Sequence, residues 1–282
     1  MLALILSVLA LSALAVASYA DLRTREVPDW LSYGFILGAL GIRSIFSVAF
    51  GWQVLFAGIL GFTAMFLIAF LFYRLHQWGG GDSKLLIGLG AVIGIPLPFS
   101  MESFSLLLFF LTLLFAGAIY GLCWLSILAV KRRTIFLPAF RQQLHAYKHW
   151  HLFSWAAVLP LLFVGMYLSL AWTLALFVLI FFYLMTFVAT IEQRCCLKQI
   201  PVEKLTPGDW LAETITVKRG EVLRSKTLER EDIWALRHLA AKGKQTSVCI
   251  REGIPFVPAF LLAYLSFLFQ DMLFPLLFRF IF

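Results

Sequence analysis

The chain has 282 residues, of which 62% are hydrophobic and only 13% are charged, and its formal net charge is +8. Soluble domains usually carry about 25% charged residues. The composition therefore excludes an ordinary soluble protein and indicates a polytopic membrane protein. In such a chain, excess positive charge sets the membrane topology and attracts anionic lipid, so we predict membrane lipid and no nucleic acid as a partner.

Eight apolar segments have about the length of a helix that crosses the hydrocarbon core, which needs about 20 residues. In chain order they cover residues 2–20, 31–49, 54–73, 83–98, 103–130, 153–168, 171–190 and 255–273. The fourth is short, and Asp271 and Pro275 interrupt the last part of the chain. The sequence thus predicts an all-α polytopic membrane protein with about six to eight transmembrane helices.

The distribution of positive charge indicates the orientation. If eight helices cross with the N-terminus outside, 21 of the 23 Lys and Arg residues lie in the inner loops. Those loops cover residues 21–30, 74–82 together with Lys84, 131–152 and 191–254. By the positive-inside rule, we predict a multi-pass protein of the plasma membrane, with the N-terminus outside and the long polar loop in the cytoplasm.

The polar segment 191–254 has the pattern of a small folded unit. VEKLTPGDWLAETITVKRGEVL alternates around Pro-Gly and Arg-Gly turns, which predicts short strands. In LEREDIWALRHLAAKG, Ile233, Leu236 and Leu239 recur at helical spacing and Gly243 is a suitable helix stop. We therefore predict a small α+β cytoplasmic domain inserted before the last helix. The predicted domains are residues 1–190, 191–254 and 255–282.

Two aspartates lie where apolar segments begin or end, although a carboxylate in hydrocarbon is costly. Asp21 ends the first segment, in ASYADLRTREVPDW, and Asp82 opens the fourth, in WGGGDSK. In the predicted topology both lie at the cytoplasmic face. Small residues on each helix predict that the two helices pack together; they are Ala10, Ala13, Ala17 and Ala20 on the first, and Gly88, Gly90, Ala91 and Gly94 on the fourth.

Two adjacent carboxyl groups have the chemistry of an aspartic protease, because they can share one proton. The ionised group takes a proton from water while the protonated group polarises a peptide carbonyl. This mechanism predicts no cofactor and no metal. Gly79, Gly80 and Gly81 would let substrate backbone or the facing aspartate approach, and would permit a non-helical entry to the fourth helix.

The residues alone leave other functions open. Asp82 could cap its helix, and Asp21 could offset the charges of Arg23 and Arg25. A presenilin-like intramembrane protease would use the same two aspartates. A transporter or assembly scaffold would use them to bind an ion without proteolysis.

The two motifs resemble those of a known family. GGGDSKLL is similar to the G-x-G-D motif of membrane-embedded aspartic proteases, and DLRTREVPDWL resembles the first aspartate region of type IV prepilin peptidases. IPVEKLTPGDWLAETI and EGIPFVPAFLLAYL resemble the cytoplasmic domain and following helix of some archaeal preflagellin peptidases. The resemblance implies that Asp21 and Asp82 are the catalytic pair, that Gly79 and Gly81 are the motif glycines, and that Lys84 is a further motif residue.

The resemblance also implies a substrate. Such enzymes cleave the class III signal peptide of prepilin-like or archaellin-like precursors at the cytoplasmic face of the membrane. The chain has no C-x-x-C motif, so we expect neither the N-methyltransferase activity nor the zinc of the bifunctional relatives. We expect Lys84 to hold lipid phosphate or support Asp82 electrostatically. Residues 191–254 could dock the leader or a pilus-assembly partner.

Other residues are better explained by structural roles than by catalysis or metal binding. HAYKHWH contains His145, His149 and His151 at a spacing that could hold a metal, but interfacial basic and aromatic residues explain it better. Trp30 and Trp78 are predicted interface anchors, either of which could line the substrate groove. Asp29, after Pro28, is a predicted N-cap.

Overall fold

The computed structural model describes residues 1–75, 77–206, 208–213, 215–216, 222–223, 228–241 and 247–270. The chain divides into two compact units, Met1–Leu122 with Ile254–Phe282, and Cys123–Gly253. This division rests on contacts between residues, and it leaves the predicted domain boundaries after residues 190 and 254 as predictions.

The first unit is helical, because a backbone surrounded by lipid must satisfy its own hydrogen bonds. Its helices are α1 (Leu2–Thr24), α2 (Asp29–Phe50), α3 (Gln53–Arg74), α4 (Gly80–Ile93), the first part of α5 (Ser105–Lys131) and α10 (Val257–Leu268). They share one buried core, to which α1 contributes Leu14, α2 Phe35, α4 Leu89 and α10 Phe260. The C-terminal helix thus belongs to the same core as the first helix.

The second unit combines helices with a small sheet. Its elements are the end of α5, α6 (Arg133–Ala146), α7 (Lys148–Gly165), α8 (Ser169–Thr190), β1 (Leu197–Pro201), β2 (Trp210–Leu211), β3 (Ile215–Thr216), β4 (Val222–Leu223), α9 (Arg230–Ala240) and β5 (Ser247–Arg251). The antiparallel sheet has the order β1-β5-β2, with Gln199 opposite Cys249, and β3 pairs with β4. Ile233 and Leu236 of α9 are buried in a separate small core.

The predicted small α+β fold of the polar segment is confirmed. The helix predicted in LEREDIWALRHLAAKG forms over Arg230–Ala240, and strand β5 follows at Ser247–Arg251. Strand β1, in LKQIP, was not predicted, because its alternation is weak and it ends at a proline. Gly243, the predicted helix stop, and the Arg-Gly turn lie outside the described residues.

The polytopic helical fold is also confirmed, although fewer spans reach full length than predicted. Five helices among the described residues are long and apolar enough to cross a membrane, over Leu2–Thr24, Asp29–Phe50, Gln53–Arg74, Met101–Lys131 and Leu170–Cys195. Helix α4 has 14 residues, or about 21 Å at 1.5 Å per residue. Helix α7 begins with the polar sequence KHWH. The described part of the last predicted span is 12 residues long.

Arg43 explains how so short a helix as α4 can end inside the protein. The side chain is buried, and its guanidinium donates hydrogen bonds to the carbonyl oxygens of Ala91 (2.7 Å), Val92 (2.8 Å) and Ile93 (3.0 Å). The last carbonyls of a helix have no partner within the helix, and Arg43 supplies one. Gly94, at φ 72°, then turns the chain away. Arg43 is one of the two basic residues outside the predicted inner loops, and nothing in its local sequence indicates this role.

The glycines of α4 meet different helices from the one predicted. A side chain at Gly88 would collide with Phe35 of α2, and one at Gly90 would collide with Gly61 and Met65 of α3. Helix α1 packs mainly on α10 and α2, with a smaller contact to α4. The predicted glycine-to-alanine packing of α4 on α1 is therefore wrong. Small residues permit a close approach, but they do not specify the partner.

We predict that Arg43→Met strongly destabilises the protein, because it leaves several buried carbonyl oxygens without a donor. Each unsatisfied group costs about 1–3 kcal/mol, so the expected loss in the free energy of unfolding is about 3 kcal/mol or more. Thermal unfolding in detergent measures it. The matched control is Arg133→Met, which removes an exposed arginine from α6. Equal unfolding temperatures for the two variants would contradict the capping role of Arg43.

Candidate active site

Asp21 lies in the last turns of α1 and is only 7% exposed. Its Oδ2 accepts a hydrogen bond from the backbone N–H of Val257, at 2.9 Å, and the backbone N–H of Phe256 also donates to this carboxylate. The helix ends a few residues later, where Arg25 takes a left-handed conformation. A buried carboxylate needs such donors to offset its lost hydration. Here they come from the beginning of α10, at the other end of the chain.

Asp82 lies in the first turn of α4 and is half-buried. Gly79 is the N-cap residue, in an extended conformation, and its backbone N–H donates to the Asp82 carboxylate. Gly80 and Gly81 are already helical. The predicted non-helical entry through three glycines is therefore wrong for two of them, and only Gly79 lies outside the helix.

The structure brings the two predicted aspartates into one electrostatic environment. The negative charge of Asp21 is close enough to act on Asp82. The charge of Asp21 also acts on the hydroxyl group of Tyr120 in α5. The positive charge of Arg25 partly offsets the charge of Asp21. The role of the two aspartates as a catalytic pair stays a prediction.

Gly81 lies so close to Val27 that a side chain at this position would not fit without a shift. A Cβ atom there would lie 3.0 Å from the Cβ atom of Val27, in the link between α1 and α2. Gly80 has open space in the same direction, and a Cβ atom on Gly79 would make an ordinary 3.5 Å contact with Asp82 Oδ2. The motif glycine Gly81 thus lets the segment after Asp21 lie directly against the turn that carries Asp82.

The side chain of Lys84 forms an ion pair with Asp29. Its Nζ atom lies 2.6 Å from Oδ1 of Asp29 and 4.8 Å from the centroid of the Tyr33 ring. Asp29 is the first residue of α2, whose N-cap is Pro28, so the predicted N-cap role of Asp29 is wrong. The lysine of the motif therefore ties the beginning of α4 to the beginning of α2.

Trp78, directly before the glycines, lies in an aromatic cluster within the first unit. Its ring centroid is 4.7 Å from that of Phe72, 5.7 Å from Phe260 and 6.1 Å from Phe256. Trp78 is half-buried, which differs from the predicted interface anchor, whereas Trp30 is 71% exposed. Sequence reasoning missed Phe256, Val257 and Phe260, because nothing local connects them to either aspartate.

One histidine of HAYKHWH, His151, contacts a tyrosine of α8. His151 Nε2 lies 2.9 Å from the hydroxyl oxygen of Tyr183. Within the described ranges, no three His, Cys, Asp or Glu side chains lie close enough together to hold a metal ion. The expectation of a metal-free protein stays a prediction.

We predict opposite effects on stability for two adjacent glycines. Gly81→Ala should lower the unfolding temperature, because its methyl group must displace Val27. Gly80→Ala should leave it unchanged or raise it, because alanine favours a helix over glycine by up to about 1 kcal/mol. Thermal unfolding of both variants measures the difference. Val27→Gly, which removes the facing Cβ atom, should reduce the cost of Gly81→Ala, and an unchanged cost in that background would contradict the close contact.

We predict that the ion pair of Lys84 contributes little to stability, because the Asp29 side chain is 72% exposed. Exposed pairs contribute up to about 1 kcal/mol. Asp29→Asn should therefore lower the free energy of unfolding by no more than that, and high salt should remove the difference. Chemical unfolding at two salt concentrations measures it. A loss above about 2 kcal/mol at high salt would contradict this view.

Residues 8–122 match the sequence profile of the type IV leader peptidase family. Three proteins named preflagellin peptidase are similar to the chain. The protein from Methanococcus maripaludis is 35% identical over 83 residues, covering 28% of this chain and 35% of that relative. The protein from Methanocaldococcus jannaschii is 33% identical over 81 residues, covering 28% and 34%. The protein from Methanococcus voltae is 32% identical over 84 residues, covering 29% and 36%.

The chain thus matches about a third of the length of these relatives. The profile match includes both aspartates, the glycine motif and Lys84. Residues 8–122, which include both aspartates, are thus similar to the type IV leader peptidase family.

Proposed function

We propose that this protein is a membrane aspartic endopeptidase that removes the class III signal peptide of prepilin-like or preflagellin-like precursors. The observation that carries the proposal is that Asp21 lies near enough to Asp82 for its charge to act on that carboxyl group. These residues are far apart in sequence and lie on different helices. Both lie within the segment that matches the leader peptidase family, and three relatives are named preflagellin peptidases.

In the proposed reaction the dyad carries one proton and one negative charge. The ionised carboxylate accepts a proton from water, and the water oxygen forms a bond to the carbonyl carbon of the scissile peptide. The protonated carboxyl group donates to the carbonyl oxygen and stabilises the tetrahedral intermediate. The dyad then donates a proton to the leaving nitrogen as the C–N bond breaks, and it regains a proton from a hydroxyl group of the intermediate as the carbonyl re-forms. This cycle restores the dyad and needs no cofactor.

The position of the dyad suits a bond close to the membrane surface. Asp21 lies near the end of one apolar helix, and Asp82 lies at the beginning of another. We place both at the cytoplasmic face, in a multi-pass protein of the plasma membrane with its N-terminus outside. The basic residues Arg23, Arg25 and Arg74 beside these helix ends support this orientation by the positive-inside rule.

The glycines and the polar segment have proposed roles in substrate binding. Gly79 is exposed beside Asp82, so a substrate backbone can approach there without meeting a side chain. Gly80 lines an adjacent groove between α3 and α4. We propose that residues 191–254 are cytoplasmic and dock the leader or a pilus-assembly partner.

The test uses two substitutions that preserve size and remove the ability to ionise. Membranes containing the protein are mixed with tagged precursors of the type IV pilin and archaellin classes, and the shortened product is measured. Asp21→Asn and Asp82→Asn should each lower the cleavage rate by about 10³-fold or more, since each removes one half of the acid–base pair. Glu102→Gln, which changes an exposed carboxylate in another turn, is the matched control.

The outcomes separate the alternatives. Cleavage that survives either substitution would overturn the dyad. Cleavage only within the transmembrane helix of a precursor would favour a presenilin-like protease. No cleavage by the wild type, combined with ion-dependent stability that both substitutions abolish, would favour the transporter or scaffold.

A further inference from the structure

We infer that the C-terminal segment Phe256–Phe260 is a positioning element of the active site, which orients Asp21 through backbone N–H groups and holds the loop before Asp82 through aromatic contacts. This inference rests on the proposed function. It assigns a role in catalysis to residues that lie outside the family match at 8–122.

The first contact is with Asp21. The N–H groups of Phe256 and Val257 both donate to its carboxylate, the latter at 2.9 Å. These groups stand at the beginning of α10, where backbone N–H groups have no partner within the helix and the helix dipole favours negative charge. Pro255 and Pro258 flank them and restrict the backbone. The segment therefore presents two donors in a fixed direction.

The second contact is with the loop that carries Asp82. The rings of Phe256 and Phe260 lie 6.1 Å and 5.7 Å from the ring of Trp78, between centroids. Trp78 comes directly before the glycine turn, and Asp82 lies four residues after it. The same short segment thus contacts Asp21 by hydrogen bonds and the approach to Asp82 by packing.

Helix α10 is itself held firmly in place. Val257 is 1% exposed and Phe260 is fully buried, in the same core as Leu14 of α1. The Tyr264 hydroxyl lies 3.4 Å from Ser7 Oγ. A side chain at Gly117 of α5 would collide with the Phe256 ring. The donors are therefore anchored on several sides, as a positioning element requires.

The surroundings of Asp21 determine the direction in which the loss of an N–H donor shifts the pH profile of cleavage. Burial opposes the ionised form of Asp21, whereas the two N–H donors and Arg25 favour it. The charge of Asp21 in turn acts on Asp82 of α4 and on Tyr120 of α5. The proposed reaction needs one negative charge on the dyad. Removing a donor makes that charge harder to form, so activity should disappear at a higher pH as the solution is acidified.

The experiment separates the N–H group of Val257 from its side chain. Val257→Pro removes the donor at the first position of α10, where the missing N–H breaks no hydrogen bond within the helix. Val257→Ala keeps the donor and removes the buried packing. Both are compared with the wild type for kcat, KM and the pH profile of precursor cleavage, after confirmation that each elutes as a folded protein in detergent.

Val257→Pro should lower kcat by about ten- to hundredfold, as expected for a hydrogen bond to a charged group, and should shift the acid limb of the profile to higher pH. Its KM should stay within about threefold of the wild type, because binding is not the step affected. Val257→Ala should keep the wild-type pH profile. A purely structural role would affect both variants alike, so equal kinetics and equal profiles would overturn the inference.

Hydrogen exchange of the purified protein tests the contact without cleavage or a folded Val257→Pro variant. Pro255 and Pro258 have no N–H, so few amides report on this segment. Exchange at Phe256 and Val257 should be faster in Asp21→Ala than in the wild type, and should stay slow in Asp21→Asn, which keeps an acceptor oxygen. Unchanged exchange in Asp21→Ala would overturn the inference while leaving the proposed function intact. Absence of cleavage by the wild type would overturn both.

Discussion

The capping of α4 by Arg43 is the interaction on which the rest of the first unit depends. A helix of 14 residues that ends inside a protein core leaves its last carbonyl oxygens without partners, and in an apolar interior each is costly. The guanidinium satisfies three of these carbonyls and also that of Val54 at the beginning of α3. One side chain of α2 thereby holds the ends of two other helices together.

With that end fixed, the glycines of α4 determine how closely its neighbours approach. Gly90 and Gly61 place the backbones of α4 and α3 in contact, and Gly88 accommodates the ring of Phe35 from α2. At the other end of α4, the ion pair of Lys84 with Asp29 and the contact of Gly81 with Val27 set the first turn against α2 and its preceding link. Asp82 is therefore placed by contacts along the whole length of a short, rigid helix.

Asp21 is placed in a different way, by residues from both ends of the chain. Its helix supplies the carboxylate, and the beginning of α10 supplies the hydrogen bonds that make its burial tolerable. Asp82 is thus placed by the packing of α4 on α2 and α3, and Asp21 by the packing of α1 mainly on α10 and α2. Helix α2 is common to both arrangements, and it connects the two halves of the candidate site.

Hydrophobicity and periodicity are local properties, so the sequence alone predicts the class of the protein, the helical segments and the small α+β unit, and it points to the two aspartates. Apolar runs of membrane length, strands that alternate and a G-x-G-D motif can each be recognised without knowledge of their neighbours. It could not determine which helices pack together: the glycines of α4 meet α2 and α3, although the alanines of α1 were an equally suitable surface.

The contacts of Arg43, Lys84 and Val257 depend on how the helices pack, and no local pattern predicts them. An arginine in an apolar helix looks like an exception until the carbonyl oxygens it binds are known. A lysine two residues after Asp82 looks like its partner until Asp29 is found beside it. The donor to Asp21 is a backbone N–H, a group that every residue except proline has. Its function depends on where the chain places it, and that placement results from the packing of the whole unit.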